Sequence, residues 1–280
     1  MILERAPAKL NLLLWVGPPR ADGLHSVCSL FVTLDLEDDV RVELAEAAED
    51  RVLCPGVSGE NLATRALAAY RTAAPDAGLP AVEVTIEKRI PVAGGLAGGS
   101  ADAAAVLRAA TRLSARPLDP AGLHVVAATL GSDVPSQLAP RSALVRGAGE
   151  QVEPLTLAPM AFVLVPSDEG LSTPTVYAEL DRLRAAGVAA QRDGLDPEAA
   201  RLIATTPVRE LAAAMENDLE AAALSLRPEL TGSLGALRDA GALGARITGS
   251  GPTAFGVFAE RSKAEAAALS IRGAIVAATR

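Results

Sequence analysis

The sequence contains few aromatic residues: four Phe, two Tyr and one Trp among 280 residues. Proteins that bind single-stranded nucleic acid stack successive bases on aromatic side chains, so this scarcity argues against that class. The net charge of −8 argues against it further, because a phosphate backbone needs a basic surface. We therefore expect no nucleic-acid partner.

Cysteine is also scarce, and Cys28 and Cys54 form neither a disulfide framework nor a zinc site. We assign no metal site made of protein side chains alone. No apolar run approaches the ~20 residues that span a bilayer, and residues 1–16 lack the pattern of a signal peptide. We therefore expect a cytoplasmic protein without a membrane partner. We also expect a monomer or a weak homodimer.

Lysine is much rarer than arginine. Lys9, Lys88 and Lys263 are the three lysines among 26 basic residues. Such a bias usually reflects genome composition. Where arginine is the default cation, a lysine is still a weak indication that a compact point charge is required.

Hydrophobic periodicity predicts an α+β protein. Strands are predicted at residues 10–16, 29–36, 40–44, 82–87, 142–146 and 161–165, and a strand, glycine turn and strand at residues 242–260. Helices are predicted at 61–73, 120–131, 207–226 and 229–240, from Pro174, and near Lys263, with a loop at 187–198. A boundary near residue 155 would divide the chain into domains 1–155 and 156–280.

The segment that follows the strand at 82–87 carries the strongest functional signal. Gly94, Gly95, Gly98 and Gly99 lead into a long alanine-rich helix, which we expect Ser100 to cap. Glycine lets the backbone approach a phosphate closely, and a helix N-terminus adds unpaired N–H groups and a favourable dipole. The segment therefore predicts a phosphate-binding loop, and the alternative is a flexible turn.

Neither common phosphate-loop motif fits this segment. A Walker A loop needs lysine after its last glycine, but Ser100 and Ala101 follow Gly99. A dinucleotide-binding fingerprint needs the spacing Gly-x-Gly-x-x-Gly and an acidic residue on a later strand, where this sequence predicts a helix.

The segment does resemble the phosphate loop of the GHMP kinase superfamily, which has a Pro-x-x-x-Gly-Leu-x-Ser-Ser-like form. Further matches spread over nearly the whole chain, and their order and spacing are very specific. They are Ala6-Pro7-Ala8-Lys9-Leu10-Asn11, Asp22-Gly23-Leu24-His25, Gly59-Glu60-Asn61-Leu62, Lys88-Arg89-Ile90-Pro91, Gly131-Ser132-Asp133-Val134-Pro135, Thr173-Pro174-Thr175-Val176-Tyr177 and Thr248-Gly249-Ser250-Gly251.

The resemblance implies a two-domain α+β kinase. Its N-terminal domain would be of the ribosomal-protein-like left-handed β-α-β type, its C-terminal domain would be ferredoxin-like, and the site would lie in the cleft. The extended loop is similar to a branch of the family whose alcohol substrate carries a cytidine diphosphate group. ATP with Mg²⁺ would phosphorylate a hydroxyl of that substrate.

Site residues follow from the same resemblance. Asp133 would be the general base, because an alcohol needs a carboxylate to take its proton. Lys9 is in an apolar run and should have an anionic partner, and the resemblance places it beside Asp133. ATP would contact Asn61 and Lys88, and its phosphates would lie on Pro91, Val92, Ala93, Gly94, Gly95, Leu96, Ala97, Gly98, Gly99, Ser100 and Ala101.

The acceptor substrate would contact Asn11, Leu24, His25, Tyr177, Gly249 and Ser250. Asn11 lies two residues after Lys9, on the same side of a strand. His25 and Tyr177 would hold the cytosine, and Leu24 stands where the family usually has a second aromatic ring. Two further departures lie in the loop. Ala97 replaces a glycine, which requires that the position has no positive φ angle, and Ala101 replaces a second serine.

Two alternatives remain open at the level of sequence. The first is another small-alcohol kinase of the same family, of the homoserine or mevalonate type, although the segments around His25 and Tyr177 argue against it. The second is a nucleotide-binding relative without catalysis, against which the presence of both Lys9 and Asp133 argues.

Overall fold

The structure, a computed structural model, describes residues 1–57, 59, 61–167 and 169–280. Glu60, which belongs to one of the matched motifs, lies outside the described residues. The chain forms two compact units. The first unit contains Met1–Ala8, Leu36–Val92 and Ala97–Pro140, and the second contains Lys9–Asp35, Ala93–Leu96 and Arg141–Arg280. The division of the chain into domains near residue 155 stays a prediction.

The described residues contain both strands and helices, largely in short runs of one kind, as the α+β prediction requires. The strands are β1 (Ile2–Pro19), β2 (His25–Leu44), β3 (Arg51–Leu53), β4 (Val82–Glu87), β5 (Ala143–Gly147), β6 (Gln151–Pro154), β7 (Ala161–Val165), β8 (Glu216–Asn217), β9 (Gly244–Ile247), β10 (Ala254–Phe258) and β11 (Ile275–Ala278). The helices are α1 (Leu62–Ala73), α2 (Gly98–Leu113), α3 (Pro120–Leu130), α4 (Val134–Gln137), α5 (Thr173–Ala185), α6 (Pro197–Ala204), α7 (Val208–Ala214), α8 (Glu220–Leu226), α9 (Leu230–Asp239) and α10 (Arg261–Ala268).

In the first unit, β4 pairs antiparallel with the second half of β2 and parallel with β3. The predicted alternation in β4 is confirmed, since Val82, Val84 and Ile86 are buried. Helices α1 and α2 pack in the same core, and α2 buries a row of alanines whose small side chains permit close packing. Tyr70 of α1 is fully buried, and its hydroxyl donates to Ser114 Oγ at 3.1 Å.

In the second unit, four antiparallel strands form a sheet in the order β11-β7-β10-β9. Helices α9 and α10 pack in its core. Phe162 of β7 and Phe255 of β10 meet edge to face, with 6.3 Å between ring centroids. The first half of β2 pairs antiparallel with β5, which pairs with β6, and Leu13 and Leu14 of β1 pair parallel with β8.

Several elements differ from the sequence prediction. The two strands predicted at 29–36 and 40–44 form one strand, because the acidic residues between them are held by distant partners: Asp38 accepts the backbone N–H groups of Arg89 and Ile90. The single helix predicted at 207–226 is divided into α7, β8 and α8, since the Asn217 side chain accepts the Leu219 N–H. Strands β3, β6, β8 and β11 and helices α4 and α6 were not predicted.

Several helix starts follow local chemistry. The Asn61 side chain accepts the Ala63 N–H at the start of α1, and the Asp119 side chain accepts the Gly122 N–H at the start of α3. Pro174 lies in the first turn of α5, where its missing N–H has no cost. No described helix combines the length and the apolar character that crossing a membrane requires.

The start of α2 corrects two expectations. Ser100 does not cap the helix, which begins at Gly98 with Ala97 in the capping position. Ala97 has φ 57°, in the left-handed region, although we expected that this alanine would avoid a positive φ. A left-handed conformation costs an alanine roughly 1–2 kcal/mol because of its Cβ.

Replacing Ala97 with glycine should therefore stabilise the protein by about 1 kcal/mol, since glycine adopts this conformation without the steric cost. Urea unfolding monitored by circular dichroism measures the change. Ala68→Gly, at an exposed position inside α1, is the matched control and should destabilise by about 1 kcal/mol. Equal destabilisation by both substitutions would contradict the strain at Ala97.

Candidate active site

Lys9 and Asn11 lie on one face of β1, where alternate residues point to the same side. Both side chains are buried, with exposed fractions of 4% and 3%. Lys9 Nζ donates to Asn11 Oδ1 at 2.7 Å and lies 4.7 Å from the centroid of the Phe31 ring. Asn11 is held in turn, because its Nδ2 donates to Ser29 Oγ and its backbone N–H donates to Thr248 Oγ1. The anionic partner expected for Lys9 stays a prediction.

The glycine turn at residues 248–251 packs against this pair. Gly249 has φ +57°, and a Cβ at this residue would lie 3.2 Å from Asn11 Oδ1 and 3.7 Å from Lys9 Nζ. Asn217 supports the turn, since its Nδ2 donates to the carbonyl oxygens of Ile247 and Gly249, both at 2.8 Å. Sequence reasoning missed Asn217, because an asparagine within a predicted helix carries no sign of a distant partner.

The glycine loop approaches the same turn within the second unit. Gly95 has φ +75°, and a Cβ there would lie 2.7 Å from the Gly251 carbonyl oxygen and 2.9 Å from that of Thr248. The Lys9 N–H donates to the Leu96 carbonyl at 3.1 Å. Four predicted site residues therefore lie together: Lys9, Asn11, Gly95 and Gly249. More than 230 positions of sequence separate Lys9 and Asn11 from Gly249.

A second cluster surrounds His25 at the start of β2. The His25 ring is 8% exposed, and its centroid lies 5.0 Å from that of the Tyr177 ring, with 37° between the planes. His25 Nε2 lies 3.0 Å from Asp181 Oδ1. Tyr177 and Asp181 are four residues apart on α5, which places both on one helix face. The structure brings the predicted pair His25 and Tyr177 together, and Asp181 is a partner that the sequence did not indicate.

Leu24 is 54% exposed next to His25, which leaves its aliphatic side chain available to a ligand. Ser250 is buried and its hydroxyl lies 2.9 Å from that of Thr173. Both residues were predicted to contact substrate, and those contacts stay predictions.

In the first unit, Lys88 lies between two carboxylates. Its Nζ donates to Asp38 Oδ2 at 2.5 Å and to Asp102 Oδ2 at 2.7 Å. Burial raises the pKa of the Asp102 carboxyl to about 7, against the opposing effect of the Lys88 charge. Burial also raises the pKa of the nearby Cys54 thiol. Lys88 is thus more constrained than the exposed strand lysine that its sequence position alone suggests.

Asp133 is half-buried at the residue that precedes α4. Its backbone carbonyl accepts the Ser136 hydroxyl at 2.8 Å, and the Val134 N–H donates to Gly131. These bonds fix the backbone of Asp133, and its side chain does not cap α4. Asn61 caps α1, and its predicted contact with a nucleotide stays a prediction.

Comparisons with known proteins decide the family. Residues 61–139 match the N-terminal domain of GHMP kinases, and residues 199–276 match the C-terminal domain. A protein of Anaeromyxobacter dehalogenans, named 4-diphosphocytidyl-2-C-methyl-D-erythritol kinase, is 45% identical over 97% of this chain and 85% of its own. The chain belongs to the GHMP kinase family. A relative of the same name from Nocardia farcinica is 43% identical over 99% of this GHMP kinase and 91% of its own chain.

Solved structures agree with this assignment. A crystal structure of 4-(cytidine 5'-diphospho)-2C-methyl-D-erythritol kinase is 35% identical, covers 99% of this chain and 98% of its own, and has a TM-score of 0.80. Homoserine kinase from Cytophaga hutchinsonii has the same fold, with a TM-score of 0.65, 17% identity, and coverage of 99% and 94%. The predicted two-domain α+β fold is confirmed, and the protein is an ATP-dependent small-molecule kinase.

The close approach at Gly95 generates a prediction for this kinase. Gly95→Ala should destabilise the protein by about 3 kcal/mol and abolish most activity, because a Cβ would meet two carbonyl oxygens and require a positive φ. Urea unfolding and ATP turnover measure the two effects.

Gly235→Ala is the control in the same unit, since a Cβ there meets nothing within 4 Å and the position is inside α9. It should stabilise slightly. A stable, active Gly95→Ala variant would show that the loop and the glycine turn are not packed this closely.

Proposed function

We propose that this GHMP kinase transfers the γ-phosphoryl group of ATP to the 2-hydroxyl of 4-diphosphocytidyl-2-C-methyl-D-erythritol, in the non-mevalonate pathway to isoprenoid precursors. The observation that carries the proposal is the 45% identity, over almost the whole chain, to a relative named for this substrate. The cytidine diphosphate group is the feature that separates this acceptor from homoserine and mevalonate.

The cluster of His25, Tyr177 and Asp181 supports recognition of a cytosine base. A carboxylate accepts hydrogen bonds and donates none, so a neutral His25 carries its hydrogen on Nε2, toward Asp181, and a lone pair on Nδ1. Cytosine presents an exocyclic amine that donates to such an acceptor, whereas uracil presents a carbonyl oxygen there. Tyr177 would stack on one face of the base and Leu24 would cover the other.

The catalytic step needs a group that takes the proton of the attacking hydroxyl. We assign this role to Asp133, whose carboxylate would accept the proton as the oxygen attacks the γ-phosphorus and the bond from that phosphorus to the bridging oxygen of the leaving ADP breaks. The Lys9 ammonium would favour the ionised form of Asp133 and orient the hydroxyl. Asn11 holds the Lys9 ammonium at 2.7 Å, so it would position Lys9 during the reaction.

ATP would bind through Asn61, Lys88 and the glycine loop, residues 91–101, in which the available backbone N–H groups would donate to the phosphates. Among the residues that the structure describes, no cluster of three His, Cys, Asp or Glu side chains could hold a metal ion. Mg²⁺ would arrive with ATP, and the Ser100 hydroxyl would be available to it beside the phosphates. Its role would be to neutralise charge on the phosphates.

One assay tests the proposal against its alternatives. ATP consumption is measured with 4-diphosphocytidyl-2-C-methyl-D-erythritol, mevalonate and homoserine in parallel, with purified folded protein. We expect turnover with the first acceptor alone. Turnover with either other acceptor, or with none, would reject the proposed substrate.

Asp133→Asn should lower kcat by about 10²–10⁴-fold without loss of folding, because an amide cannot accept the proton. Steady-state kinetics and thermal unfolding measure the two effects. Asp76→Asn is the control, since Asp76 is an exposed carboxylate in the same unit. Turnover near the normal rate in Asp133→Asn would remove Asp133 from the role of base.

Asp181→Asn should reduce the preference for the cytidine substrate over its uridine analogue by about tenfold, because an asparagine can donate to Nε2 and place the hydrogen on Nδ1. The ratio of kcat/KM values for the two substrates measures the preference. Asp193→Asn, an exposed carboxylate in the same unit, should leave the ratio unchanged. Tyr177→Ala should raise KM for both substrates together. An unchanged ratio in Asp181→Asn would show that His25 does not read the base through Nδ1.

A further inference from the structure

Asp38, Lys88 and Asp102 form a buried cluster of two carboxylates and one ammonium in the first unit. The three side chains are 0%, 13% and 3% exposed, and Lys88 Nζ donates to both carboxylates. Such a cluster is costly to bury, since one positive charge faces two negative charges. A cost of this kind indicates that the cluster has a use beyond packing.

Asp38 ties the cluster to the segment that enters the glycine loop. Its Oδ1 accepts hydrogen bonds from the backbone N–H groups of Arg89 at 2.6 Å and of Ile90 at 2.8 Å. Its Oδ2 accepts a hydrogen bond from Lys88 Nζ. The segment from Lys88 to Ile90 is therefore bound to Asp38 of β2 by three hydrogen bonds, two from its backbone and one from the Lys88 side chain, immediately before the loop begins at Pro91.

Asp102 ties the cluster to the segment that leaves the loop. It lies one turn into α2, whose N-terminus would face the phosphates. A Cβ on Gly98, the first residue of α2, would lie 3.0 Å from Ile90 Cγ2 and 3.2 Å from Lys88 Nζ. The helix start thus packs directly on Lys88 and Ile90. Among the described residues, Asp102 Oδ1 is buried without a hydrogen-bond partner, while Oδ2 accepts a hydrogen bond from Lys88 Nζ.

We propose that Asp38 and Asp102 are positioning residues for ATP binding, which join the two ends of the glycine loop through Lys88. With its ends joined, the loop presents its N–H groups in one arrangement before ATP arrives, and less conformational entropy is lost on binding. The inference rests on the proposed role of the loop in binding the phosphates of ATP. Neither carboxylate needs to touch ATP.

The charge of the cluster links ATP binding to pH. Asp102 faces Lys88 after β4, Asp38 on β2 and the Cys54 thiol after β3, and burial raises its pKa to about 7. Below that pH the protonated cluster is neutral, and above it the cluster carries one negative charge beside the N-terminus of α2. ATP is anionic, so its affinity should fall as the pH rises through about 7.

Two substitutions of Asp102 separate position from charge. Asp102→Asn keeps an oxygen that accepts from Lys88 but removes the charge, whereas Asp102→Ala removes both. The affinity for a non-hydrolysable ATP analogue is measured by calorimetry at pH 6 and pH 8, with thermal unfolding of each variant. Asp76→Ala, at an exposed carboxylate of the same unit, is the control, and comparison among variants cancels the titration of the analogue itself.

We expect Asp102→Ala to weaken ATP binding about tenfold at both pH values, with a larger change in KM for ATP than in kcat. Asp102→Asn should retain the affinity that the unsubstituted protein has at pH 6 and lose its pH dependence. Unchanged affinity in a folded Asp102→Ala variant would overturn the proposal, even if its unfolding temperature falls.

If Asp102→Ala does not fold, the affinity of Asp102→Asn for the ATP analogue at pH 6 and pH 8 decides whether the proposal holds. An affinity that is the same at both pH values supports the proposal. A pH dependence like that of the unsubstituted protein overturns it. The calorimetric experiment contains no acceptor, so failure of the cytidine diphosphate substrate in the turnover assay would not affect its outcome.

Discussion

The buried pair of Lys9 and Asn11 is the constraint on which the arrangement of the second unit depends. An ammonium and an amide without partners would each be costly inside the protein. Their hydrogen bonds therefore determine which elements must meet: Ser29 of β2 and Thr248 of the glycine turn both bond Asn11. Gly249 and Gly95 then permit backbone to approach this pair and the turn more closely than a Cβ allows. Asn217 completes the arrangement from the other side of the turn.

Local sequence patterns were sufficient to predict a helix or strand whose position depends on its own residues. Asn61 begins α1, Pro120 follows the cap of α3, and the alternation from Val82 to Ile86 produces β4. These patterns were insufficient where a hydrogen bond to a distant residue determines the secondary structure. Asp38 lies between two predicted strands, yet it belongs to one continuous strand in which its side chain accepts hydrogen bonds from N–H groups about fifty residues away. Asn217 lies in a strand between two helices where its neighbours favour one continuous helix, and its side chain accepts a hydrogen bond from the Leu219 N–H.

The residues of the candidate site also divide into those that the sequence indicates and those that depend on a distant partner. The resemblance to a family pointed to Lys9, Asn11, His25 and Tyr177, and these residues lie in two defined clusters of the second unit. Asp181 escaped notice because it is an ordinary helical acid whose partner lies 156 positions away. Ala97 was judged wrongly for a different reason: a backbone angle cannot be read from one residue type, and the helix start imposes φ 57° on an alanine.

The scarcity of lysine acquires a physical meaning in the structure. Lys9 is buried and the Lys88 side chain is 13% exposed, and each ammonium lies among close hydrogen-bond partners. At Lys88 a single nitrogen serves carboxylates at 2.5 and 2.7 Å, and a Cβ on Gly98 would lie only 3.2 Å from it. The wider, planar arginine head would displace the start of α2. A protein of net charge −8 that binds ATP must place positive charge locally, and here a compact cation allows backbone to pack around that charge.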